Sequence, residues 1–190
     1  QNIDKIISNY LSKNIKFSEE NIFAVKLSLL DTLGCIYNAS TYEDPMRFAT
    51  RGVYGANTNP FKVLRDMQSS NEIARYCSIL TRWFDYNDTF LAKEWAHPSD
   101  NIGTAFAYFI NHKEKNISQF LQSIIQMYEI QGSLALGTSL NKKGYDHVFY
   151  VKLASGAVYS SLLSDKNTES ISRTVNNVLQ DGVNLRSYRQ

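Results

Sequence analysis

Apolar residues return every three or four positions along almost the whole of this 190-residue chain. That period belongs to the buried stripe of a helix and cannot place a strand's alternate side chains on one face. Turn-forming residues are scarce to match, with nine glycines and three prolines, too few for the many tight reversals of a sandwich or barrel. The pattern predicts a single all-α, bundle-like domain over 1–190.

Local signals divide the chain into helices. A first helix is expected from Ile3 to Leu11. Ser18, followed by Glu19 and Glu20, reads as an N-cap with an acidic first turn. Behind it Ile22, Val25, Leu29, Leu33 and Ile36 mark one face of a long helix fading near Ala39. The stretch from Met46 to Arg65, broken by Gly52, Gly55, Asn57, Asn59 and Pro60, is expected to be a short helix and then a loop or extended piece. Ser70 is the expected cap of a helix carrying Ile73, Tyr76, Cys77, Leu80 and Phe84. Further helices are expected at about 100–111, 118–137, 147–163 and 169–180, with Ser118 and Thr168 as caps. No internal repeat, low-complexity tract or linker interrupts them.

Charge and cysteine content narrow the function classes. Twenty basic residues against 18 acidic ones give +2, without the clustered basic stripe that nucleic acid or an anionic membrane surface would select. No uninterrupted apolar run reaches the 18 residues of a spanning helix, so no membrane role is expected. Cys35 and Cys77 lie in apolar helical patterns and are expected as free core thiols. Gln1 to Tyr10 carry no cleavable leader. A cytoplasmic location follows, or the mitochondrial matrix if a leader has been removed.

The chemistry-bearing residues gather around two of the three histidines. His97 closes a polar and aromatic stretch that runs from Arg82 through Asp85 and Thr89, and it precedes Pro98, suited to the first turn of a helix. Asp85 and Thr89 share a face if the helix continues through them. His147 follows Asp146, the expected cap of the next helix. Helix N-termini disfavour protonated imidazole, and a neutral imidazole is a competent base. The alternative for either histidine is a capping or hydrogen-bonding role. His112, beside Lys113, Glu114 and Lys115, reads as a solvated helix end. Asp85, Asp88, His97 and His147 carry metal-ligand chemistry, but no HExxH, CxxC or EF-hand spacing arranges them, and no phosphate-loop glycines occur. No metal and no cofactor is expected.

Longer words of the sequence are more specific. Arg82-Trp83-Phe84-Asp85-Tyr86-Asn87-Asp88-Thr89 and Lys93-Glu94-Trp95-Ala96-His97-Pro98-Ser99-Asp100-Asn101 resemble the signature of the MmgE/PrpD family. Their spelling is similar to the branch that dehydrates 2-methylcitrate. In the same order along the chain, Asp31 to Cys35, Tyr128 to Gly132, Gly144 to Val148 with Val151 to Ser155, and Asp181-Gly182 with Leu185 to Arg189 resemble further family segments. The stretch from Phe61 to Ser70 departs, being shorter and poorer in Gly and Pro. Family members are typically more than twice this long, with a smaller α/β lid and a lysine-bearing segment that would follow Gln190.

The resemblance implies a hydro-lyase of propionate breakdown that converts 2-methylcitrate to 2-methyl-cis-aconitate without an iron–sulfur cluster, as a homodimer. It implies proton transfer by Asp85 and His97, with His147 next and Thr89 donating a hydrogen bond. Ser99, Arg82, Arg186 and Arg189 would meet the carboxylates of a small tricarboxylate. Alternatives stay open. Within the family they are cis-aconitate decarboxylation or amino-dicarboxylate epimerisation; outside catalysis, a helical scaffold. Arg82 could equally form an ordinary ion pair, and Trp83, Tyr86 and Trp95 are expected as core or wall.

Overall fold

The computed structural model describes residues 2–189, with side chains as far as Ser187. Its described residues are helical apart from turns and two isolated antiparallel bridges, Phe90 with Ala96 and Tyr145 with Leu185. They fall into two compact units interleaved along the sequence. One comprises the described residues of 2–17, 89–98 and 125–189; the other comprises 18–88 and 99–124.

The second unit begins with α2 (Glu19–Ser40), capped as expected by a Ser18 hydroxyl that accepts from the Asn21 amide. The face Ile22, Val25, Leu29, Leu33 and Ile36 turns inward, with Val25 and Ile36 fully buried. The opposite face leaves Phe23, Leu27, Leu30 and Tyr37 exposed. By length and composition α2 is long and apolar enough to cross a membrane, with a mean hydropathy of 1.3 over 18 residues. Looking for uninterrupted apolar runs missed it because Lys26 and Asp31 break the run.

Helix α3 (Glu43–Ala49) follows, then α4 (Pro60–Asp66), where a loop or extended piece was expected. The punctuation read as loop is the helix start itself. Pro60 occupies the first turn, where its missing N–H costs nothing, and the Asn59 side chain accepts from the amides of Phe61 and Lys62. Helix α5 (Ser70–Arg82) starts one residue earlier than expected and stops short of Phe84. Ser70 is not its cap; its hydroxyl donates to the Ala107 carbonyl at 3.1 Å. Arg75 on α5 donates to the carbonyls of Ala49 and Phe48, satisfying the open end of α3.

Helix α6 (Ile102–Phe109) lies against α5 at Gly103. A Cβ there would stand 2.9 Å from the Ala74 carbonyl oxygen and 2.8 Å from the Ser78 hydroxyl. Because a backbone atom cannot yield as a side chain can, Gly103→Ala is expected to destabilise this unit by about 1–3 kcal/mol. A denaturant midpoint unchanged from the parent would show that the helices are not held so closely.

Helix α7 (Ile117–Gly137) contributes its first turns to this unit and its remainder to the other. Its cap is Asn116 rather than Ser118: Asn116 and Gln119 exchange side-chain to backbone hydrogen bonds of 3.0 and 3.1 Å.

The first unit is built from α1 (Ile3–Leu11), the rest of α7, α8 (Val148–Leu163) and α9 (Thr168–Gln180). Asn167, not Thr168, caps α9, accepting from the Ser170 amide. Helix α8 buries Leu153, Ala154, Ala157 and Val158 almost completely. Its Gly156 permits close approach of α9, since a Cβ would meet Val178 at 3.2 Å. The buried Asp4 of α1 accepts from Ser172 and Asn176 of α9. A smaller core of Ala135, Leu140, Phe149 and Tyr150, flanked by Phe90, Ala92 and Tyr145, lies beneath the loops that carry the histidines. Cys35 and Cys77 are buried and free.

Candidate functional site

In the first unit two loops bring the histidines together. Phe90 and Ala96 pair through amide–carbonyl bonds of 2.8 and 3.0 Å, closing a short loop and setting His97 just beyond it. The other loop turns at Gly144, whose φ of 81° suits a residue without Cβ. Beyond the turn Asp146 donates its amide to the Asn184 carbonyl at 2.7 Å, and Arg186 donates its amide to Gly144 at 2.9 Å. The segment after α9 is thereby paired to the loop that carries His147.

His97 and His147 are buried, at 5% and 1% exposure, and their ring centroids stand 5.8 Å apart. The half-buried Trp95 touches both, 4.5 Å from His147 and 5.4 Å, edge-on, from His97. The Arg186 guanidinium carbon lies over the same indole, 5.5 Å from its centre. Asp146, fully buried, has Oδ1 3.3 Å from His147 Nδ1 and Oδ2 3.8 Å from Arg186 Nη1. Its Oδ1 also accepts from the Val148 amide, the expected role at the start of α8. His147 itself holds the N-cap position of that helix. Two imidazoles and one guanidinium therefore share a single indole, with one carboxylate beside His147 and Arg186. Such a group can move protons beside an anion.

The second unit holds Arg82, Asp85 and Ser99. Helix α5 ends at Arg82, so Asp85 and Thr89 do not share a helical face. Asp85 instead takes a left-handed backbone, φ 58°, and is exposed. Arg82 donates to Asp85 and to Asn87, and its Nε lies 3.8 Å from Asp100. Its guanidinium thus works in the ion pairs of its own unit. Ser99 is buried, its hydroxyl accepting from Asn87 and its amide donating to Asp88. Pro98 opens a 3₁₀ turn, Pro98–Asn101, ahead of α6. Burial pushes the Asp100 carboxyl up to about 6, with Arg82 opposing and Asp88 adding to the rise.

Thr89, which belongs to the first unit, is exposed. Arg189 was a sequence candidate, and its side chain lies outside the described residues. Trp83 and Tyr86 are exposed rather than core, against Phe48 and Phe84 respectively. Among the described residues, no three His, Cys, Asp or Glu side chains group as metal ligands.

Sequence reasoning missed Trp95 as a shared platform, Asp146 as the acid beside His147 and Arg186, and Glu94 as a buried anchor. An acid directly before a histidine at a helix start was a signal for Asp146. For Trp95 the only signal was its place in the segment Glu94-Trp95-Ala96-His97.

The described residues are helical and bring two buried histidines to ring centroids 5.8 Å apart. Residues 6–190 match the MmgE/PrpD N-terminal domain, and the chain belongs to the MmgE/PrpD family. It is 32% identical over 206 aligned residues to the probable 2-methylcitrate dehydratase of Saccharomyces cerevisiae, covering 99% of this chain and 40% of that protein. It is 33% identical to the mitochondrial 2-methylcitrate dehydratase of Yarrowia lipolytica, covering 99% and 39%. Against the 2-methylcitrate dehydratase of Escherichia coli K12 it is 36% identical, covering 85% and 36%. The chain thus spans about two fifths of the length of the curated relatives it matches.

Proposed function

We propose that the protein carrying this chain is a hydro-lyase that removes water from 2-methylcitrate to give 2-methyl-cis-aconitate. The observation that carries the reading is the convergence of His97, His147 and Arg186 on Trp95, in a chain whose relatives are named for that reaction. The chemistry needs a base for a carbon-bound proton beside a carboxylate and an acid for the departing hydroxyl. One imidazole takes the proton as the C–H bond breaks, and the other, protonated, delivers one to the hydroxyl, which leaves as water. Arg186, with 28% of its side chain exposed, offers a guanidinium to a substrate carboxylate. Asp146 fixes the charge balance behind it.

The family resemblance implies proton-transfer and hydrogen-bonding roles for Asp85, Thr89 and Ser99; the step by the two imidazoles uses none of them. A homodimer in the cytoplasm or the mitochondrial matrix belongs to the same proposal. The test is turnover by the protein expressed from its whole reading frame. Growth of the ultraviolet absorption of the unsaturated acid from 2-methylcitrate, undiminished by chelators, is expected. Carbon dioxide release from cis-aconitate, with 2-methylcitrate untouched, would instead make it a decarboxylase.

A further inference from the structure

We infer that Glu94 is the positioning residue that sets His97 against His147. Glu94 is 1% exposed, a burial that costs a carboxylate less when it is hydrogen-bonded; its Oε2 is used in this way, and its Oε1 has no partner among the described residues. Its Oε2 accepts from the Ser139 hydroxyl at 3.0 Å and from the Asn141 amide at 2.8 Å. Its own amide donates to the Ala135 carbonyl in the last turn of α7, at 3.0 Å. Lys93 beside it donates to the Gly137 carbonyl at 3.4 Å.

All four bonds fall on one short stretch, Ala135 to Asn141, which leads through Gly144 into Asp146 and His147. On the other side only Trp95 and Ala96 separate Glu94 from His97. The carboxylate therefore ties together the two loops that deliver the imidazoles, and the tie lies within a few residues of each ring. Its chemistry is also specific. Ser139 and Asn141 both present donors to Oε2, so the place wants an acceptor there; an amide could keep one with its carbonyl oxygen and put its N–H₂ where Oε1 stands without a partner among the described residues.

This inference deepens the hydro-lyase reading and rests on it for its kinetic arm. The experiment compares Glu94→Ala, Glu94→Gln and Glu94→Asp in the whole protein, by nitrogen NMR of the imidazoles and by steady-state kinetics with 2-methylcitrate. Expected are displaced His97 and His147 resonances, an unmoved His112, and a kcat lowered about tenfold or more in the Ala variant with KM nearly constant. Glu94→Gln, which keeps an acceptor for both donors, and Glu94→Asp should each recover part of both signals.

A role confined to fold stability would lower the unfolding temperature while leaving imidazole resonances and kcat at parental values, and that result overturns the inference. If the parent protein does not turn over 2-methylcitrate, the functional reading fails while the imidazole shifts still decide the role of Glu94. Should the Ala variant not fold, Ser139→Ala removes one bond to the same oxygen. It is expected to move the His97 resonances in the same direction by less; unmoved resonances there count equally against the inference.

Discussion

Replacing His97 by Gln is expected to lower the turnover of 2-methylcitrate at least about a hundredfold, the usual loss when a general acid or base is removed. Gln fills a similar volume and can still hydrogen-bond, so the buried site at 5% exposure keeps its packing while losing the imidazole. His112→Gln is the matched control. His112 belongs to the other unit, where its Nδ1 lies 2.7 Å from the Tyr108 carbonyl and its ring stacks on Tyr108. Its replacement should leave turnover unchanged. Near-parental rates for His97→Gln would remove His97 from the mechanism.

The second large effect concerns pH and Asp100. Burial raises its carboxyl to about 6 in the folded protein, against 3.8 for the ordinary group. Between those values the folded chain binds a proton that the unfolded chain has released. Stability from this group is therefore complete below about pH 4 and is lost as the pH rises through about 6. The loss is about 3 kcal/mol. Asp100→Asn removes the titration. The variant is expected to gain on the parent by up to about that amount between pH 4 and 7, read as the difference of their denaturant-unfolding free energies. A difference that is constant over this range, or that moves in the parent's favour, contradicts the assignment. Because Arg82 opposes the rise and Asp85 and Asp88 stand nearby, Arg82→Gln should push the same transition to higher pH.

Much of this architecture was legible in the sequence. Long periodic segments announced α1, α2, α7, α8 and α9 because their buried stripes persist for several turns, and Ser18 announced its own helix. Caps were less legible. At α7 and α9 the capping side chain belongs to an asparagine one or two residues ahead of the expected Ser118 or Thr168, and both side-chain types can fill that role. Helix α4 was missed because seven residues give too few periods to outweigh Asn59 and Pro60, which mark a helix start and a loop alike. Asp85 was misplaced on a continuing helix because nothing local shows that the chain turns left-handed there.

The site divides in the same way. His97, His147 and Arg186 were named from residue type and from family resemblance, and the structure brings the three to one indole. Trp95 and Glu94 were not, since their roles depend on partners 40 to 90 residues away in the sequence, such as Ser139, Asn141 and Arg186. Arg82 was named as a substrate contact or an ordinary ion pair, and its guanidinium meets Asp85, Asn87 and Asp100.

The proposed site rests on His97 and His147 handling one anion together. Its most direct measurement is the titration of 2-methylcitrate into the whole protein while the imidazole resonances of His97, His147 and His112 are followed, each assigned by its His→Gln variant. Saturable movement of the His97 and His147 signals along one binding curve, with His112 stationary, is the predicted result. Resonances of His97 and His147 that stay fixed up to saturating substrate, or that follow two unrelated curves, would contradict it.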